Sequence, residues 1–238
     1  MSLVLESPGG LLISQRLAEE TLRQLQPFDP RALPVEPDLA RRRGERIAVE
    51  LRFERFELPG LGELRWTLMT SAKADIIALM IFPNDPSLLP IFASEFVVLG
   101  GRCKAAVVDL QSVAPRAVDR LAHADVMAGL GMEYGAWRSP NLPEWCAAHF
   151  TPHAIAALAV DLEDLDELLV GFGRYLALWT TLAQAAPWRD PAPSHELDEY
   201  KDHHVENTPG RPMMTAAFGG DWTERFLRQG MYLRGAQH

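Results

Sequence analysis

The side chain with the clearest capacity for acid-base chemistry is Glu95, which ends the segment Phe82-Pro83-Asn84-Asp85-Pro86-Ser87-Leu88-Leu89-Pro90-Ile91-Phe92-Ala93-Ser94-Glu95. Asp75 to Ile81 reads as a mostly apolar, partly β-branched strand, and Phe96-Val97-Val98-Leu99 begins a second apolar run. Pro83, Pro86 and Pro90 each fix φ and remove a backbone donor, so the intervening loop is stiff and the acid is held in place. A carboxyl group framed in this way is suited to proton transfer. A solvated glutamate after an ordinary strand-loop-strand link is the plainer alternative.

A second polar group, His195, Glu199, His203, His204 and Glu206, falls within twelve residues. On a helix, Glu199 and His203 would share one face, a spacing that metal ligands use. Adjacent histidines point in different directions, which favours a polar helix lining a cleft or facing solvent over a metal site. Tyr200, His204 and Asn207, four and three apart, would present a phenol, an imidazole and an amide to one ligand. There is no GxGxxG, P-loop, GxSxG or HExxH, so nucleotide and serine-hydrolase readings are weak. Cys103 and Cys146 are too far apart for a CxxC motif and read as reduced packing residues.

These candidates must be positioned by a sizeable core, which 238 residues with 47% hydrophobic content can supply as one domain spanning 1–238. The formal charge of −9 opposes nucleic-acid and anionic-membrane binding. Arg41, Arg42, Arg43 and Arg46 form one local basic knot, and Arg225, Arg228 and Arg234 another; each is either a solvated face or the dock of an acidic partner. No window approaches the ~18–20 apolar residues of a membrane span, and the N-terminus lacks the order of a signal peptide, so a cytoplasmic monomer is expected.

Residues 9–26 have loosely helical spacing, followed by a Pro-rich arm at 27–37. Val49, Leu51 and Phe53 alternate with polar residues, the phase slips near Arg55, and Phe56 and Leu58 resume it, which predicts a strand with a bulge. Further strands follow at 64–69, 75–82, 95–99 and 104–110, the last two joined by a Gly100-Gly101 hairpin turn. Ala154 to Val160 fits a sixth strand or a buried helix. Residues 116–130 and 161–186 are helical, the latter with an apolar stripe from Leu162 to Leu182, capped by Asp161 and stopped by Pro187. Asp221-Trp222-Thr223-Glu224 has the arrangement of a capping box that starts a C-terminal helix. Helices on both sides of one run of strands predict a mixed α/β fold of the α+β type, an antiparallel sheet sandwiched between helical layers.

Phe82-Pro83, then Leu89-Pro90-Ile91-Phe92, the acid Glu95, Val107-Val108-Asp109-Leu110, Leu142-Pro143-x-Trp145 and Ala217-Phe218-Gly219-x-x-Trp222-x-Glu224-Arg225 share their order and spacing with one family. Over residues 50–232 the chain resembles the ferredoxin-dependent bilin reductases. The resemblance implies a three-layer α/β/α sandwich and an open-chain tetrapyrrole substrate such as biliverdin. It also implies one-electron transfers from reduced ferredoxin, no bound metal or flavin, and a role in phycobilin biosynthesis. Glu95 takes the position where these enzymes usually carry the aspartate that protonates the bilin; the red chlorophyll catabolite reductases, a related branch, are similar in using glutamate. Tyr200 and Asn207 match polar positions above the pocket, and His204 stands where glutamine is usual.

Two expected donors are missing. Ala78 stands where the phycocyanobilin-forming members have a histidine, on the strand that also carries Met80, and Thr208 stands where a second acid is common. A single carboxyl suits one two-electron reduction, with water or His204 supplying the second proton. Arg102, Lys104 and Arg211 are the candidates, by position, for the propionates. A non-catalytic bilin carrier on the same fold is the alternative, and Glu95 discriminates: a carrier has no need of an acid there. An interaction scaffold is a third reading, supported only by the apolar and arginine-rich surfaces.

Overall fold

The computed structural model describes residues 12–113, 124–139, 149–161, 163–188, 190 and 194–234. Eight antiparallel strands form one sheet. They are β1 (Arg31–Ala32), β2 (Arg41–Arg43), β3 (Glu50–Leu58), β4 (Gly62–Ser71), β5 (Ala74–Pro83), β6 (Ile91–Leu99), β7 (Arg102–Gln111) and β8 (Ile155–Val160). β3 to β8 follow one another across the sheet, and β1 and β2 share the outer edge of β3. The meander and the strand reading of 155–160 agree with the sequence. Gly100 and Gly101 have φ of 59° and 75°, as the tight β6–β7 turn requires.

Both faces of the sheet are covered. On one lie α1 (Leu12–Leu25) and α4 (Leu165–Ala185), which packs Leu168, Phe172, Leu176 and Trp179 on Phe92 and Phe96. Trp179 Nε1 donates to Pro90 O at 2.9 Å, tying this helix to the proline loop just before β6. The other face carries α5 (His195–Asn207), α6 (Arg211–Phe218), α7 (Gly220–Phe226) and a wide π turn at Leu227–Met231. Two short helices, α2 (Pro37–Ala40) and α3 (Ala124–Glu133), complete the described elements used below. This is the three-layer arrangement expected.

Four local readings need correction. β3 pairs with β4 in unbroken register from Glu50↔Thr70 to Leu58↔Gly62, so the phase slip at Arg55 is not a bulge. Leu51 and Phe53 belong to the apolar layer under α5 to α7, whereas Phe56 and Leu58 belong to the layer under α1 and α4; a sheet covered on both faces lets the buried side change along one strand. The ladder irregularity lies between Val97 and Val98, which face Ala105 and Cys103 and leave Lys104 unpaired. β6 starts at Ile91, so Glu95 sits in the middle of the strand rather than at the end of the loop.

Helix α4 starts after Asp164, because Asp161 O is used by the turn that accepts Asp164 N–H at 3.1 Å. Gly219, at φ 88°, is the boundary residue of α7; Asp221 lies inside the first turn and no side chain caps it. Leu142-Pro143-x-Trp145, Cys146, Leu162 and most of the 116–130 prediction lie outside the described residues.

Candidate active site

Strand pairing sets one row of side chains across the sheet: Phe53, Thr67, Ala78, Glu95, Val107 and Ala156 are consecutive partners from β3 to β8. Directly paired residues project to the same face, so this row points toward α5. Thr67, Ala78, Glu95 and Val107 form the floor of a pocket enclosing about 900 Å³ of empty space, its open mouth included.

The roof comes from α5 to the C-terminal turn. Ser194 caps α5, its hydroxyl accepting from Leu197 N at 3.2 Å, and Leu197, Tyr200, Lys201, His204 and Val205 form a buried stripe at helical spacing. Tyr200 and His204 stack at 4.1 Å with a 28° tilt and both line the pocket. The Tyr200 hydroxyl donates to Gln111 Oε1 at the end of β7. Thr208-Pro209-Gly210, Met213 and Met214 continue the wall, which Phe226, Leu227, Met231 and Tyr232 close. Five of the chain's eight methionines, Met69, Met80, Met213, Met214 and Met231, line this pocket. Unbranched thioethers adapt to an irregular or conjugated apolar ligand more readily than branched side chains.

The electrostatics follow from burial. Glu95 has Ala78 and Val107 as its cross-strand neighbours and no cation to stabilise its charge, so burial pushes its pKa above the usual carboxylate range. Burial holds His204 down to about 4, and its Nδ1 lies 2.9 Å from Tyr200 O. A carbonyl only accepts, which assigns the ring proton to Nδ1 and leaves the neutral ring a lone pair at Nε2. Burial and the neighbouring Glu95 carboxyl keep the Tyr232 phenol protonated.

Of the residues read from the sequence, Glu95, His204, Tyr200, Ala78 and Met80 meet in this pocket. The other four do not line it. Asn207 Nδ2 donates to His203 O in its own helix at 2.8 Å. Arg211 pairs with Glu224 at 2.6 Å and donates to Val205 O. Arg102 is exposed and faces Asp161 at 3.6 Å, and Lys104 is exposed on the bulge. Thr67, Gln111, Tyr232 and the methionines other than Met80 are residues that the sequence reading missed. Register could have found Thr67, opposite Ala78; for Tyr232 and Met231 there is no local signal.

The two basic knots meet. Asp38 of α2 accepts from Arg42 at 2.8 Å and also from Arg225, which reaches Glu36 at 3.0 Å. Trp222 lies 6.0 Å from the Arg42 guanidinium and stacks on Phe226, 5.1 Å away and tilted 7°, and Phe226 lines the pocket. Among the described residues, no His, Cys, Asp and Glu side chains are grouped to hold a metal ion, and no helix is long and apolar enough to cross a membrane.

Comparison with known proteins gives one answer. The family model described as ferredoxin-dependent bilin reductase matches residues 18–232. A phycoerythrobilin:ferredoxin oxidoreductase of Synechococcus sp. (strain CC9902) is 31% identical over 170 residues, 65% of this chain and 64% of the relative. A phycocyanobilin:ferredoxin oxidoreductase of Trichodesmium erythraeum (strain IMS101) is 27% identical over 165 residues, with the same 65% and 64% coverage. The match thus spans less than two thirds of these relatives' length. Phytochromobilin synthase from tomato, solved in complex with biliverdin, superposes with a TM-score of 0.77 at 18% identity, covering 93% of this chain and 81% of that one. The fold is shared.

Proposed function

Because the chain belongs to the ferredoxin-dependent bilin reductase family, we propose that it reduces a linear tetrapyrrole of the biliverdin class with electrons from reduced ferredoxin, Glu95 serving as the acid. The observation that carries this reading is the place of Glu95: a carboxyl whose pKa burial raises, at the centre of an apolar floor, under a roof of Tyr200 and His204.

The bilin lies flat between the sheet and α5. Each electron added makes the conjugated system more basic, and Glu95 breaks its O–H bond to form an N–H or C–H bond on the ligand. Two electrons and two protons saturate one double bond. His204 rests as an acceptor through Nε2, so it donates the second proton only after taking one from water at the mouth. No lysine or arginine is among the described residues lining the pocket, which leaves the propionates to project through the mouth into solvent.

Ferredoxin, an acidic protein, docks in this reading on the joined arginine face around Asp38 and Trp222. The Trp222–Phe226 stack gives the electron a short route inward. Arg41, Arg42, Arg43, Arg225 and Arg228 are each already countered by an acid, so docking exchanges partners and weakens with salt.

A non-catalytic bilin carrier is the second reading, favoured by Ala78 and Thr208 at positions where acids or a histidine would assist turnover. Anaerobic incubation with biliverdin, ferredoxin and a reducing system separates the two. A reductase progresses through spectral intermediates to a product, and the Glu95→Gln variant binds but stalls. Stable binding without progression in the unaltered protein overturns the reductase reading and establishes the carrier.

A further inference from the structure

His203 and His204 are neighbours on α5, and successive residues of a helix point about 100° apart, so the two imidazoles take different directions. His204 lines the pocket; His203, half-buried, is outside it. A third imidazole, His149, packs against both from the segment that precedes β8. Its ring centroid lies 4.6 Å from His203 and 5.2 Å from His204, whereas His203 and His204 are 5.6 Å apart. His149 therefore bridges the other two. Its Nδ1 is buried and has no hydrogen-bond partner among the described residues.

The place of His149 is set from the sheet. Asp109 of β7 accepts from Thr151 N at 2.8 Å and from Thr151 Oγ1 at 2.5 Å, and Arg138 Nη1 donates to Thr151 O at 2.7 Å. This fixes the chain two residues beyond His149, and Phe150 between them lines the pocket. Tyr200 lies 5.1 Å from the His149 ring and stacks on His204. His204 also meets Tyr232 at 5.6 Å, whose flanking carbonyls, Met231 O and Leu233 O, accept from buried Arg65 at 2.8 and 3.0 Å. Burial holds both His149 and His204 down to about 4, so at pH 7 each ring is neutral, with one N–H and one lone pair. Such a ring passes a proton by accepting on one nitrogen and releasing from the other.

Resting on the bilin reductase reading of this pocket, we propose that His203 and His149 form a proton relay that carries a solvent proton to His204, with His149 as the bridge. A proton from water binds His203 and passes to the free nitrogen of His149, which releases the proton on its other nitrogen to Nε2 of His204. At these ring separations each hand-over is a direct hydrogen bond or passes through one water. The Nε2–H bond of His204 then breaks as an N–H or C–H bond forms on the ligand. The electrons come from ferredoxin alone, and each ring ends with the number of protons it began with. His149 and His203 act through His204 and do not touch the ligand.

The test is the exchange of the His204 ring protons with solvent, followed by ¹⁵N NMR in the ligand-free protein, the signals being assigned by their loss in His204→Gln. His149→Phe keeps a ring in the cluster but carries no proton, so exchange slows about tenfold or more. His149→Gln should slow it equally, and serves where the phenylalanine disturbs folding. In His149→Ala, added imidazole restores the exchange. Unchanged exchange in the first two variants overturns the proposal, as does a slowing that imidazole does not relieve, since that is an effect of packing. These measurements need neither bilin nor ferredoxin, so they stand apart from whether the protein reduces a bilin. With biliverdin and reduced ferredoxin, His149→Phe should slow the second protonation in a single turnover about tenfold and leave the first, which belongs to Glu95, at its original rate. A second step of unaltered rate overturns the relay.

Discussion

Ala78 and Glu95 stand directly opposite one another in the β5–β6 ladder, both facing the pocket. Paired residues in such a ladder have Cβ atoms about 4.5–5.5 Å apart. A side chain introduced at 78 therefore lands beside the carboxyl. Ala78→His is expected to supply a second proton donor and, when charged, to lower the Glu95 pKa by about one unit or more. The pH profile of single-turnover bilin reduction should shift to lower pH on the Glu95 limb; an unmoved limb would show that the two side chains do not interact.

Glu95 carries its carboxyl one methylene further from the backbone than an aspartate would. Glu95→Asp withdraws the acid by about one bond and should change which position of the bilin is protonated, seen as a different product on chromatography. Glu95→Gln removes the acid while keeping its shape, and turnover should fall about 10²–10⁴-fold with binding retained. Equal turnover in Glu95→Gln would remove Glu95 from the mechanism.

His204 is buried against Tyr200 and neutral at pH 7. His204→Gln puts an amide in place of the imidazole, which is the only one among the described residues lining the pocket. The second protonation should slow, with the first unaffected. Unchanged rates and product would leave water as the second donor.

Arg65 holds two backbone carbonyls and the buried Glu63. Arg65→Met strands those groups, and Glu63, held down to about 2 by Arg55 and Arg65 against the opposing effect of burial, loses one of its cations. Breaking such a network costs about 3–5 kcal/mol. Denaturant unfolding should show a loss of that size, and the pocket should bind bilin more weakly because Tyr232 and Met231 are no longer anchored.

Asp75 is buried at 1% exposure on the opposite face, against Ser14 of α1, and burial raises its pKa to about 6. A folded pKa above the unfolded value of about 3.9 means that the native state binds more protons between those limits. Its contribution to stability is therefore present below pH 4 and lost as the pH rises through 6. Asp75→Asn should stabilise the protein at pH 7 by up to about 3 kcal/mol, an advantage that fades below pH 4 in unfolding curves measured across pH. No difference at pH 7 would mean that Asp75 is solvated on unfolding and folding alike.

Much of the fold was readable because local patterns and their tertiary consequence agree. The alternation in β4, the glycine pair at 100–101 and the Leu168–Phe172–Trp179 stripe each need only a few residues of context. Arg55 shows where such reading stops: a change of buried face looks like a bulge when the second covering layer is unseen. The arginine knots show the same limit from the surface. Arg42 and Arg225 lie far apart in the chain, yet both are neutralised by Asp38.

By itself the sequence determined the kind of protein: alternating strands and amphipathic helices that must form a covered antiparallel sheet, and one carboxyl, Glu95, in an apolar frame. Those features are encoded by side-chain period and backbone restriction, which act over a few residues. The composition of the pocket was decided only in three dimensions. Cross-strand register placed Thr67, Ala78, Glu95 and Val107 in one row, and the Arg65 clamp, reaching 166 positions along the chain to Met231, set Tyr232 over that row. Register and packing depend on contacts between distant segments, and they also gave Asn207, Arg211 and Arg102 partners outside the pocket and left Lys104 exposed on the bulge.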